Sequence, residues 1–409
     1  MLKQSLTLIL LSSLLTSSIY AKEVKQVVNE AINTNSSLQA LEQSILLAKE
    51  QIDLAGKWQN PILNFGANDI QFDDISKRDL EPMQAQFIGL NQMIPIGDKK
   101  ELEEEIARDD YELSKLVLAD KKLELESKIY EYIYNIKLVE ERVALFSKLK
   151  QNIAELQKLL EEFYKYNKAS QIDILKVQTL YDELDISEQK LNNNLRVFKL
   201  QLEQLTYTKF KNIDISTELE KVTLVNNVDS HPKILQIEKN IEKFNTTSKF
   251  EEEKKNSDIN LAVKYFQRDS KYEDYINISV AIPLSVYGIE DIKARKAKFK
   301  ANEYKNLLED SKLKFTNQIK ILQNNINNAF YSYRKLNENI IPKYNQIQKT
   351  LESYNRFSSL KKIDSKELIR NLNELIKYKL KAIDEKQKYF TNLANSIYYT
   401  KVDKWKSTY

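Results

Sequence analysis

The sequence has no cysteine, one histidine, and only 5 glycines and 6 prolines in 409 residues. The missing cysteine excludes disulfides, thiolate metal sites, cysteine nucleophiles and an acylated cysteine anchor. His231 has no cysteine or second histidine to join it. It therefore reads as a turn residue before Pro232, not as a metal ligand or a catalytic base. No glycine-rich loop cradles a phosphate. Once residues 1–21 are removed, only Met83 and Met93 are left, too few for a soft-metal ladder. Charge of one sign is missing too. The balance of 63 basic against 59 acidic residues gives a net charge of +4, without the basic excess of a nucleic-acid binder. No catalytic set is visible, so the chain reads as a non-enzyme without cofactor or resident metal. The carboxylate runs "ELEEE" and "FEEEKK" read as ordinary solvated helix faces.

What is present is mostly water-facing: 30 % of the residues are charged, and mean hydropathy is −0.54. Residues 1–21 read as a secretory signal, with Lys3 as the positive region, an apolar core over 6–15 and a small-residue cleavage site ending at Ala21. A membrane anchor is the other reading, but the core is too short to span a bilayer. No later run is long and apolar enough for a transmembrane helix. An exported chain that enters a membrane would then do so with strands.

The scarce breakers cluster. Gly56, Pro61, Gly66, Pro82, Gly89, Pro95 and Gly97 share one window, and Pro283 and Gly288 a second. Outside them the chain is free to be helix. Ile129, Ile133, Ile136, Val139, Val143, Phe146, Leu149, Ile153, Leu156, Leu160 and Phe163 recur every three or four residues, near a coiled-coil repeat. Ile319, Leu322, Ile326, Ala329, Tyr333, Leu336 and Ile340 repeat this in the second half. A helix over 98–163 would run roughly 100 Å. Its narrow apolar stripe suits side-by-side helices rather than a globular core.

Inside the windows the period falls to two, which predicts strands over 61–71, 84–94, 258–267 and 275–284. Each is near the ~10 residues of a tilted membrane strand. The run 84–94 alternates least clearly. A pair of soluble hairpins is the competing reading. In "LNQMIPIGDKK" the strand pattern stops at Pro95 and a charged helical pattern begins after Gly97. Pro283 and Gly288 mark the same strand-to-helix change in the second half. The order therefore repeats: a first unit over 22–207 with its hairpin at 61–94, a connector over 208–230, and a second unit over 231–409 with its hairpin at 258–284. "YNKASQIDILK" and "LKKIDSKELIR" occupy matching places in the two units.

With these segments in order, the chain resembles the TolC-like outer-membrane efflux family over nearly all of residues 22–409. The resemblance rests on "AKEQIDLAGKWQNPILNFG", "LNQMIPIGDKK", "SHPKIL", "VAIPLSVYG" and "IIPKYNQIQKTLESY". Ser36 departs from a usual proline, and Asn167 and Lys361 from usual glycines. The resemblance implies a mainly α protein with a small β portion. Long coiled-coil-like helices would form a periplasmic tunnel, and three chains would each give four strands to one twelve-stranded barrel in outer-membrane lipid. It implies an exit duct for a tripartite efflux pump, working with a periplasmic adaptor and an inner-membrane pump. The "IPIGDKK" turn is closest to the heavy-metal branch. A type I secretion duct is the alternative, and a periplasmic coiled-coil adaptor or structural protein is the reading from a different class.

The resemblance also assigns sites. The turns 166–175 and 360–369 would form the periplasmic tip. Asn167, Lys168, Ser170, Lys361 and Lys362 would meet the adaptor, while Asp364, Glu367 and Asp173 would line the gate. Arg370 stands where some relatives carry another acid. Plain helix capping, by Ser170 with Asp173 and by Asp364 with Glu367, is the competing reading of the same residues.

Overall fold

In the computed structural model, residues 22–210, 212–357 and 365–400 are described. The signal assigned to 1–21 lies outside them, as do Lys361, Lys362 and Asp364. The elements are β1 (Lys22–Glu23), α1 (Val24–Thr34), α2 (Ser36–Ala55), β2 (Ile62–Asn68), β3 (Ala85–Ile94), α3 (Lys99–Lys165), α4 (Gln171–Thr206) and β4 (Ile213–Asp214). They continue with α5 (Pro232–Glu253), β5 (Ile259–Gln267), β6 (Tyr275–Ala281), α6 (Ile289–Arg334), α7 (Ile341–Phe357) and α8 (Ser365–Thr400). Each half thus runs from helix through a β-hairpin into long helices. Among the described residues, no helix is long and apolar enough to cross a membrane.

The contacts divide the chain into two compact units that cut across the halves. One takes the chain up to Asn35 with Lys128–Lys221 and Asn328–Ala394. The other takes Ser36–Ser127, Val222–Asn327 and the chain from Asn395.

The first unit is helical. The stripe read from the sequence becomes its core: Phe146, Leu149, Ile153, Leu156 and Leu160 of α3 pack with Val177 and Leu184 of α4 and with Leu368, Leu372 and Ile376 of α8. Burying each such side chain stabilises by about 1.5–3 kcal/mol. The exposed side is charged and carries Lys–Glu pairs three apart, such as Lys128–Glu131 and Lys137–Glu140. Between α6 and α7, Lys335–Ile340 widens into a π-helical turn. Pro342, just beyond, lacks an N–H and crowds the preceding turn, and this local widening accommodates it. The two-residue strands β1 and β4 pair in parallel.

The second unit holds the sheet, in the order β2-β3-β5-β6, with every pairing antiparallel. Two strands are shorter than the sequence suggests. The first, expected over 61–71, ends at Asn68 because Asp69 turns into the left-handed region at φ 54°. The last, expected over 275–284, ends at Ala281 because Pro283 cannot donate to the ladder.

Candidate functional site

The register sorts the sheet into two faces. On one, Leu63, Leu90, Val263 and Ile278 lie in a row across all four strands, and Phe65, Ile88, Tyr265 and Ile276 form the next row. All eight are exposed, Phe65 at 80 %. The strand that alternates least clearly in sequence, β3, gives Ile88 and Leu90 to these rows, and its Gln86 and Gln92 flank them on the same face. The opposite face mixes small, polar and aromatic residues: Asn64, Gly89, Lys264 and Asn277 form one of its rows, and Gly66, Phe87, Phe266 and Tyr275 another. Phe87 and Phe266 sit 5.3 Å apart, and Tyr275 stacks on Phe266 at 4.8 Å. Among the described residues, both sheet edges, β2 and β6, lack a strand partner.

Below the strands, the two strand-to-helix turns lean on the segment between α5 and β5. Strand β3 stops at Ile94, before Pro95. Gly97 then takes φ 74°, and a Cβ there would lie 2.0 Å from Glu253 Oε1. The Ile96 N–H donates to Asp258 Oδ1 at 3.1 Å, and Lys99 ion-pairs with the same carboxylate. In the second turn the Ser257 hydroxyl donates to the Pro283 carbonyl. Gly288 takes φ 65° and its carbonyl accepts from Ile292 N–H at the start of α6. Lys255 pairs with Asp291 at 2.5 Å, and that hydrogen bond holds the Asp291 carboxyl below its ordinary range.

The turn between α3 and α4 is ordered by its own residues. Lys168 N–H reaches back to the Phe163 carbonyl at 2.8 Å, and Asn167 N–H to that of Tyr164 at 3.1 Å. This is a Schellman motif, with Asn167 at φ 57°. Asparagine tolerates the left-handed region better than most residues, so it serves where glycine is usual. Ser170 then caps α4. Its Oγ accepts from Asp173 N–H at 3.2 Å, and Asp173 Oδ2 accepts from Ser170 N–H at 3.1 Å. That capping box matches the competing reading of Ser170.

Asp173 is only 2 % exposed, and its Oδ2 also accepts from the Ser365 hydroxyl at 2.7 Å. Burial pushes its pKa up, but hydrogen bonds from Ser365 and Ser170 outweigh that and hold it below the ordinary value. Oδ1 is buried without a hydrogen-bond partner among the described residues. In this chain the carboxylate therefore joins the start of α4 to the start of α8 and is not an open charge. Glu367 is different: it is half exposed and only 3.9 Å from the exposed guanidinium of Arg370. Ser365 is a site residue that the sequence did not mark, since its partner lies 192 positions away.

His231 is a helix cap rather than a plain turn residue. Its Nδ1 accepts from Lys233 N–H at 3.1 Å at the start of α5. Nε2, which therefore carries the proton, donates to the Tyr398 carbonyl at 2.8 Å. The Tyr398 hydroxyl donates to Asp120 at 2.8 Å. The ring is fully buried, and burial pushes its pKa down, partly offset by the Tyr398 carbonyl.

No protein-family model and no curated protein matches the sequence. Solved structures do match the fold. The CmeC outer membrane channel of Campylobacter jejuni is similar at a TM-score of 0.75 and 11 % identity, over 92 % of this chain and 85 % of that one. The MtrE outer membrane channel of Neisseria gonorrhoeae, in its open state, gives 0.74 and 12 %, over 92 % and 88 %. The outer membrane protein VceC of Vibrio cholerae gives 0.70 and 11 %, over 91 % and 96 %. With four strands in one sheet and long helices in this order, the chain has the TolC-like fold of the outer-membrane channels.

Proposed function

We propose that this chain is one of three identical protomers of an outer-membrane exit duct, a passive conduit through which an efflux pump discharges its substrate. The observation that carries the reading is the four-stranded sheet with two unpaired edges and one exposed face that carries two continuous apolar rows. Each unpaired N–H or C=O along such an edge would cost roughly 2–7 kcal/mol in hydrocarbon, so the sheet cannot enter a membrane alone. Three copies around a three-fold axis give twelve strands, pair every edge and leave the apolar rows facing lipid. The likeness to solved outer-membrane channels supports the same assembly.

In that assembly the helices extend into the periplasm as a tunnel. The pump is of the tripartite kind, and its energy and substrate choice belong to the inner-membrane pump and the periplasmic adaptor. The adaptor meets the tip at Asn167, Lys168, Ser170, Lys361 and Lys362. Asp364 and Glu367 are the carboxylates that line the closing tip, while Asp173 braces it from within. Outer-membrane fractions separated on gels without heating should show a trimer that boiling dissociates. A folded monomer, soluble without detergent, would overturn the reading.

A further inference from the structure

The four strands of the sheet contain a single charged residue, Lys264. It stands on the face opposite the apolar rows, in register with Gly89 on one side and Asn277 on the other. Gly89 makes its seat. A Cβ at position 89 would lie 2.5 Å from Lys264 Cγ, so the lysine stem occupies the space that a side chain would fill. The ammonium ends 5.1 Å from the centre of the Phe87 ring. Among the described residues, no carboxylate pairs with it. The other strand residues of that face, among them Asn64, Asn91, Asn260, Ser279 and Tyr275, are all neutral.

An ionisable side chain within a membrane strand must face water, because placing it in lipid is costly. The position of Lys264 thus agrees with the apolar rows about which face lines the lumen. A cation–π contact supplies attraction without cancelling the charge. From this placement we infer that three Lys264 ammonium groups form a cationic collar inside the barrel. The collar draws anionic solutes through the membrane section and opposes free metal cations. The inference rests on the trimeric-duct reading and gives it a substrate class: organic or inorganic anions.

The cysteine-free chain permits a local test. Asn277→Cys puts one thiol in the Lys264 row, and its labelling by an anionic sulfonatoethyl and a cationic trimethylammonioethyl methanethiosulfonate is measured in outer-membrane vesicles at low salt. Normalised to free cysteine, the anionic reagent should be favoured by about fourfold, and salt should reduce the preference. Lys264→Gln in the same background should abolish it. Should Asn277→Cys not assemble, Asn64→Cys in the same row serves instead. Assembled trimers whose labelling ratio ignores Lys264→Gln, or whose thiol reacts with neither reagent, would overturn the collar and leave the duct standing. Absence of any trimer on unheated gels would overturn the duct itself.

Discussion

The Ser365 hydroxyl donates to Asp173 Oδ2 at 2.7 Å, so one buried carboxylate caps α4 and grips the first residue of α8. The bond joins corresponding places in the two halves of the chain, just where each returning helix begins. It ties the start of α4 to the start of α8 within the helical unit.

Removing that tie should loosen both helix starts together. Ser365→Ala removes a hydrogen bond to a charged acceptor and should cost about 1.5–3 kcal/mol. Ser170→Ala removes the cap and should cost about 0.5–2 kcal/mol. The folded pKa of Asp173 is depressed, so its contribution is present above the unfolded carboxylate value and is lost as pH falls through the folded one. Hydrogen exchange at the first turns of α4 and α8 should therefore stay protected at neutral pH and rise together in acid below about pH 4. In Ser365→Ala the rise should start at higher pH. Faster exchange in α4 alone would show that the two helix starts are not coupled.

The strand-to-helix turns should differ in their tolerance of a side chain. Gly97→Ala meets both a left-handed φ of 74° and Glu253 Oε1, which must swing away from Asn256 Nδ2. Gly288→Ala meets only the φ of 65°, with nothing nearer than Asp291 at 4.0 Å. Backbone strain of this kind costs about 1–3 kcal/mol. Gly97→Ala should lower the temperature at which the assembled protein dissociates, and by more than Gly288→Ala does. Equal effects would mean that backbone strain alone sets the cost.

The elements were legible where one physical rule governed them. Period-two alternation placed all four strands, and the scarcity of glycine and proline left room for the long helices. The strand ends were misread at Asp69 and after Ala281, because turn geometry rather than hydropathy stops those strands. Asn167 looked like a departure from a glycine site, yet its φ of 57° shows it adopting the conformation glycine would take. Ser365 and Lys264 were illegible for a different reason. Each acquires its role from a partner distant in sequence, Asp173 for one and Gly89 for the other, and no local pattern encodes a register across strands or a contact between helix starts.

His231 should make the second unit acid-sensitive. Its folded pKa is depressed by burial, so the folded state holds the neutral ring while the unfolded chain takes up a proton near pH 6.5. Stability from this group is thus fully present above that value and falls as pH drops through it. Charged groups near it are Asp120, whose field opposes the shift, and Lys233, whose field adds to it. His231→Asn keeps a helix-capping side chain but cannot titrate. It should lower stability at pH 8 and flatten the loss between pH 7 and about pH 5. Thermal melts across that range decide the matter, and a variant that tracks the wild-type slope would assign the acid sensitivity to another group.

The tip carboxylates give the last expectation. Glu367 faces open water and its partner Arg370 is 79 % exposed, so their 3.9 Å ion pair leaves most of its charge unspent. Exposed pairs of this kind are worth about 0–1 kcal/mol. Under three-fold symmetry the Glu367 carboxylates, with those of Asp364, would gather near one axis and attract cations there. Glu367→Gln should shift planar-bilayer selectivity away from cations, whatever its starting value, and weaken block by multivalent cations added on the tip side. Arg370→Gln should act in the opposite direction by removing a nearby positive charge. Asp364→Asn with Glu367→Gln should exceed either single change. If all three variants conduct and block like the parent protein, these carboxylates only cap α8, and the selectivity of the duct is set elsewhere.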